Sequence, residues 1–133
     1  MSNIREKLVD KLADVLGVKK APKREPRMYV IVRDDLVPLG APEGRYPGYQ
    51  AAQAAHAATY LAAASKLALY QHPTITILNV PNEDILHKTA AMHQHTPGDP
   101  ELFMFHEPDL GNEATAFACY SVGREFAGLP LMK

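Results

Sequence analysis

The stretch GYQAAQAAHAATYLAAASKLA, residues 48–68, sets Tyr49, Gln53, His56 and Tyr60 into a run otherwise dominated by alanine. At about 100° per residue these four side chains fall within a wedge of roughly 60°, so they share one stripe of a helix. An amide and an imidazole one turn apart can share a single water or a single substrate atom. That pairing suits hydrolysis by activated water. Such chemistry needs a group to take the water's proton, donors for a developing oxyanion, and a geometry that fixes both. The plainer alternative is a packed or surface histidine, with Tyr49 and Tyr60 capping the contact between helix and sheet.

Other chemistries find less support. The glycines ahead of this helix match neither nucleotide-binding fingerprint. Ser65 and Ser121 lie in apolar contexts without a small-residue elbow or an obvious base. Cys119, in TAFACYS, reads as a buried strand thiol rather than a nucleophile. Of the six histidines, His93 and His95 fall at the frayed end of a predicted helix and read as surface residues, while His72 and His87 are isolated. His106 sits beside Glu107 and Asp109 in FHEPD, which is either a functional cluster or a solvated one. No metal site and no cofactor are expected.

The elements that must position these residues follow from pattern and punctuation. Ile4, Leu8, Leu12, Val15 and Leu16 predict an amphipathic helix over residues 3–17, and a basic linker containing two prolines follows to residue 27. MYVIVR, 28–33, is a β-branched apolar strand. DDLVPLGAPEGRYPG, with three prolines and three glycines, must be an irregular loop ahead of the alanine helix, about 49–69. TITILNV, 74–80, is a second strand, and Pro81 and Asn82 signal the start of a second helix with two carboxylates in its first turn. LFMFHE, 102–107, and ATAFACYS, 114–121, are strands joined by the turn PDLGNE. The closing GREFAGLPLMK reads as one helical turn and a tail. The order β-α-β-α-β-β, opening on a β-α-β unit, predicts an α/β fold with a mixed four-stranded sheet sandwiched by helices.

A chain of 133 residues, 47% apolar and 22% charged, suits one globular domain. Its apolar runs are too short to span a bilayer, its N-terminal residues lack the apolar core of a secretory signal, and a single cysteine argues for a reducing compartment. A soluble, cytoplasmic protein without membrane contact is the expectation. Charge is uneven. Residues 1–27 carry eight basic against four acidic side chains, a balance of +4, and residues 28–133 carry six against eleven, a balance of −5. A nucleic-acid partner would therefore meet an acidic domain preceded by a basic segment.

Taken together, YVIVRDDL, a glycine-containing loop, AAQAAHAA, and a strand running into VPNEDIL resemble the type 2 peptidyl-tRNA hydrolase family over most of residues 28–121. The resemblance implies a sheet of that family's kind in residues 28–133; residues 1–27, the separate amphipathic helix and linker, lie outside it and are expected to dock on the domain or on a partner. It implies cleavage, without a metal, of the ester between a stalled peptide and the tRNA 3′ ribose, frequently by a dimer. Carried over by position, Gln53 and His56 match the family's helix residues, Thr115 its threonine, and either Asp109 or Glu107 its acidic residue; these form the expected catalytic set. Tyr49 and Asn79 stand where the family has lysines, and with Arg45 and Glu107 they are the expected substrate contacts. Tyrosines beside the cleft would stack on an unpaired 3′ adenine. The alternative is a non-catalytic tRNA- or protein-binding module on the same scaffold.

Overall fold

The computed structural model describes residues 26–64, 74–95 and 101–133, together with Lys7 and Lys11. The expected N-terminal helix and most of its linker lie outside the described residues, as do Ser65, His72 and the last residues of the expected alanine helix.

Strand β1 (Arg27–Arg33) holds Val30, Ile31 and Val32 with no exposed surface. That burial fits a central strand whose branched side chains pack on both faces of the sheet. Helix α1 (Pro47–Ala64) opens on proline, whose ring presets the first helical φ, and buries Gln50, Gln53, Ala54, Ala57 and Leu61. Strand β2 (Ile75–Val80) leads to Asn82, whose side chain accepts from the Ile85 amide at 2.9 Å and caps helix α2 (Glu83–Gln94). Glu83 and Asp84 in its first turn complement the helix dipole. Strands β3 (Leu102–Glu107) and β4 (Glu113–Ser121) form an antiparallel hairpin, turned by a 3-10 segment at Pro108–Leu110 and by positive φ at Gly111 and Asn112.

The four strands lie in the order β2-β1-β4-β3, with β1 and β2 parallel and the other pairs antiparallel. Among the described residues the fold is therefore α/β, with an open mixed sheet and helices α1 and α2. One core joins α1, through Ala54, Ala57 and Leu61, to Val30, Val32, Ala116 and Ala118. The other joins α2, through Leu86 and Ala90, to Ile31, Leu78, Val80, Phe117 and Cys119. Alternation along β1 and β4 divides the two cores between the faces of the sheet. Small alanines on α1 allow close approach to the strands.

The C-terminal segment is more than a loose tail. After a 3-10 turn at Arg124–Phe126, the chain runs back along β2: Leu131 bridges Leu78, the Asn79 amide donates to the Pro130 carbonyl at 2.8 Å, and the Met132 amide donates to the Ile77 carbonyl at 2.9 Å. These bonds cover the outer edge of β2, an edge otherwise open to pairing with another chain. Among the described residues no helix is long and apolar enough to cross a membrane.

Candidate functional site

The polar side chains gather at one end of the sheet, where β1 and β2 finish, β4 begins and β3 ends. Ligands of open α/β sheets commonly bind at this end, beyond the carboxyl ends of the strands. Three of the expected residues meet there. The Gln53 amide nitrogen donates to Glu107 Oε2 at 2.8 Å, and Thr115 Oγ1 donates to Gln53 Oε1 at 2.7 Å. Thr115 is 0%, Gln53 2% and Glu107 9% exposed, so the bonds lie almost entirely out of water. Glu107, rather than Asp109, is the carboxylate on Gln53. Asp109 is exposed and contributes its backbone amide, which donates to Glu107 Oε1 at 3.2 Å.

Tyr49 stands over this network, half-buried against the α1 core, and its hydroxyl is enclosed without a hydrogen-bond partner. Desolvation, then the charges of Glu107 and Asp109, raise its pKa above the ordinary phenol value and hold the proton on oxygen.

His56 and Tyr60 do not join the network. His56 is exposed and its ring stacks on Phe105 at 4.7 Å, 13° from parallel; Tyr60 stacks on Phe103 at 5.0 Å. Rotation about the helix axis explains the division. Measured from Tyr49, the buried positions Gln53, Ala57, Gln50, Leu61 and Ala54 span roughly 40° to 140°, whereas His56 lies about 20° to the other side. Gln53 is at the edge of the buried arc and turns inward; His56 and Tyr60 fall outside it and lie over the aromatic side chains of β3.

A second buried network escaped the sequence reading. Gln50 is fully buried, and its Oε1 accepts from Asn79 Nδ2 at 3.1 Å. Asn79 Nδ2 also donates to the Val32 carbonyl at 3.1 Å, while Asn79 Oδ1 accepts from the Lys133 amide at 3.3 Å. Asn79 thus ties β1, α1 and the C-terminal tail together. The available signal was Gln50 itself, a polar residue in the middle of the arc that alanines and Leu61 mark as buried.

Beside these residues, Arg33 is 7% exposed and clasps Asp35 through two nitrogens at 2.8 and 3.0 Å. It also donates to Glu113 at 3.2 Å and to the Ala114 carbonyl at 3.0 Å. Burial disfavours the charged guanidinium, but the hydrogen bonds and charges of Asp35 and Glu113 outweigh it, and its pKa is raised. Next to it opens a cleft of about 410 Å3 lined by Asp34, Arg45, Asn79, Pro130, Leu131 and Lys133. Arg45 donates across it to the main-chain oxygen of Lys133, the last residue, at 3.3 Å.

On the other face of the sheet, His93 is buried rather than at the surface, because its position on α2 continues the Leu86, Thr89 and Ala90 stripe. Its Nδ1 meets Glu125 Oε1 at 2.9 Å, and Ser121 Oγ donates to the same oxygen at 2.5 Å. Serine and histidine here share a carboxylate instead of contacting each other, which is not the arrangement of a nucleophile and its base. His106 is exposed. Among the described residues no three His, Cys, Asp or Glu side chains come together as metal ligands.

In comparisons with known proteins, no family model and no curated relative matches the chain.

Proposed function

We propose that the protein hydrolyses the ester bond of peptidyl-tRNA or a closely similar N-acylaminoacyl-tRNA, releasing peptide and tRNA. The observation that carries the reading is the buried convergence of Gln53, Thr115 and Glu107 beneath the unpartnered Tyr49 hydroxyl. In this reading water attacks the acyl carbon while Glu107 takes its proton through lone pairs that Gln53 and the Asp109 amide leave free. The raised pKa of Tyr49 keeps an O–H available to the oxyanion that forms as the carbonyl becomes tetrahedral. The carbon–oxygen bond to the ribose then breaks, and the ribose oxygen receives a proton, a step the reading assigns to the exposed imidazole of His56. Gln53 and Thr115 keep the Glu107 carboxylate in one orientation. The products are a peptide carboxylate and a tRNA 3′-hydroxyl.

The full internal pairing of Gln53, at 2% exposure, favours a second reading, a non-catalytic tRNA- or protein-binding module in which this network only holds α1 to the hairpin. Purified protein with N-acetylaminoacyl-tRNA separates the two. The hydrolase reading expects turnover that falls about 10²-fold or more in Glu107→Gln, a near-isosteric change, and drops in Tyr49→Phe and His56→Ala. An inactive wild type, or a Glu107→Gln variant at the wild-type rate, would overturn it. Binding of the tRNA without turnover would establish the module.

A further inference from the structure

Helix α1 runs for 18 residues without a charged side chain, whereas α2, with 12, carries Glu83, Asp84 and Lys88. Measured from Tyr49 at about 100° per residue, Ala51, Ala52, Ala55, Thr59, Ala62 and Ala63 occupy the arc from roughly 200° to 320°. That arc lies opposite the buried one, and all six residues are exposed. A helix face turned to water ordinarily carries charged or strongly polar groups; this one is a strip of methyl groups with a single hydroxyl. Helix propensity accounts for alanine at any one of these positions. It does not exclude charge from all six, because lysine, arginine and glutamate form helices nearly as well. Side chains this small let a second helix approach to an interaxial distance of about 8 Å. His56 and Tyr60 lie just outside the strip, against β3.

We propose that this strip is the docking surface for the amphipathic helix expected over residues 3–17 of the same chain. Ile4, Leu8, Leu12 and Leu16 form a row with a four-residue step, and so do Ala51, Ala55, Thr59 and Ala63. A ridge of large side chains set into a groove between small ones, both with that step, is the commonest mode of helix packing. The lengths also agree: residues 3–17 span about 22 Å as a helix, and Ala51 to Ala63 about 18 Å. Lys7 and Lys11, both helical and exposed, lie outside the arc of that apolar row. Parallel pairing of β1 and β2 makes α1 run back along the sheet, so Ala62 and Ala63 stand at the end where β1 begins. Residues 18–26, which precede β1, can reach up to roughly 30 Å, enough to lay the first helix along α1. Charge favours this occupant over a second copy. Residues 1–27 carry +4 and residues 28–133 carry −5, whereas pairing α1 with α1 of another molecule would bring two domains of −5 together. The strip excludes His56 and the Gln53 network, so the docking is independent of hydrolysis.

Amide hydrogen exchange on the full chain tests this, with oligomeric state read by light scattering on the same preparation. An isolated helix of about 15 residues is marginal in water, so slow exchange over residues 3–17 requires packing against something. The wild type should be monomeric and should exchange there about tenfold more slowly, or better, than Ala55→Arg, which sets a charged side chain in the middle of the strip. Leu8→Asp combined with Leu12→Asp should release the segment to the same extent, while Ala55→Ser, still small, should keep it protected. Thermal unfolding supplies an independent reading. Ala55→Arg should lower the midpoint of the wild type but leave that of the Leu8→Asp, Leu12→Asp chain unchanged, because on a bare helix face arginine is nearly as good a helix former as alanine. Residues 3–17 exchanging as fast in the wild type as in the Leu8→Asp, Leu12→Asp chain overturn the docking. Protection that survives Ala55→Arg places the first helix on another surface and overturns it too. A dimer that Ala55→Arg converts to monomer assigns the strip to a second copy, and the proposal fails.

Discussion

Replacing Thr115 by valine removes one hydroxyl from a water-free site while barely changing side-chain volume. Thr115 has no exposed surface, and its Oγ1 donates to Gln53 Oε1 at 2.7 Å. Gln53 cannot turn elsewhere for a donor, because it is 2% exposed and its amide nitrogen is already committed to Glu107 at 2.8 Å. Valine would therefore strand a buried carbonyl oxygen, at a cost of about 1–3 kcal/mol. For a chain of 133 residues, 1 kcal/mol moves the midpoint of thermal unfolding by roughly 4 °C, so the variant should melt about 4–12 °C below wild type. Calorimetry supplies the midpoint, and urea titration supplies the free energy without extrapolating in temperature. A loss under about 1 °C would mean that Gln53 and Thr115 are not bonded in solution, and the reasoning built on their convergence with Glu107 would fail. The folded variant also reads the chemistry. If Gln53 orients Glu107 for a proton transfer, turnover drops at temperatures where the variant is fully native.

Two further outcomes follow from other parts of the fold. Gly123 has φ +88°, and a Cβ there would strike the ring and hydroxyl of Tyr29, so Gly123→Ala combines left-handed strain with overpacking. The combined cost is about 2–5 kcal/mol in urea titration, and a loss below about 1 kcal/mol would refute the close approach. Burial disfavours the Glu125 carboxylate, yet hydrogen bonds from Ser121 and His93 outweigh it and hold the pKa below the ordinary value. The resulting stability is complete above the unfolded-chain pKa, about 4.3, and is lost as pH falls through the lower folded value. The melting advantage of wild type over Glu125→Gln should then shrink on acidification below about pH 4; parallel curves throughout would contradict the assignment.

Much of the architecture could be read from local pattern. The β-branched run at Val30–Val32, the strand-forming run ATAFACYS in β4, Pro81 and Asn82 before α2, and the turn residues after Glu107 each act within a few positions of themselves. Short-range sterics and capping fix such elements whatever the rest of the chain does, and a β-α-β opening leaves few ways to order the strands. The expectation that Gln53 and Thr115 belong to one site came from the family resemblance alone, since nothing in either residue's own neighbourhood points to the other.

What the letters could not show are relations between elements distant in the chain. The spacing of Tyr49, Gln53, His56 and Tyr60 establishes that they share a stripe, but not how far α1 is turned about its axis when it docks. That rotation buries Gln53 and leaves His56 stacked on Phe105. Arg33 reaches Glu113 across 80 positions, and Asn79 receives Lys133 across 54, contacts with no local signature. Whether a polar side chain faces water or a buried partner is settled by packing two surfaces against each other, because desolvation and hydrogen bonding are properties of the assembled interface and not of either strand or helix alone.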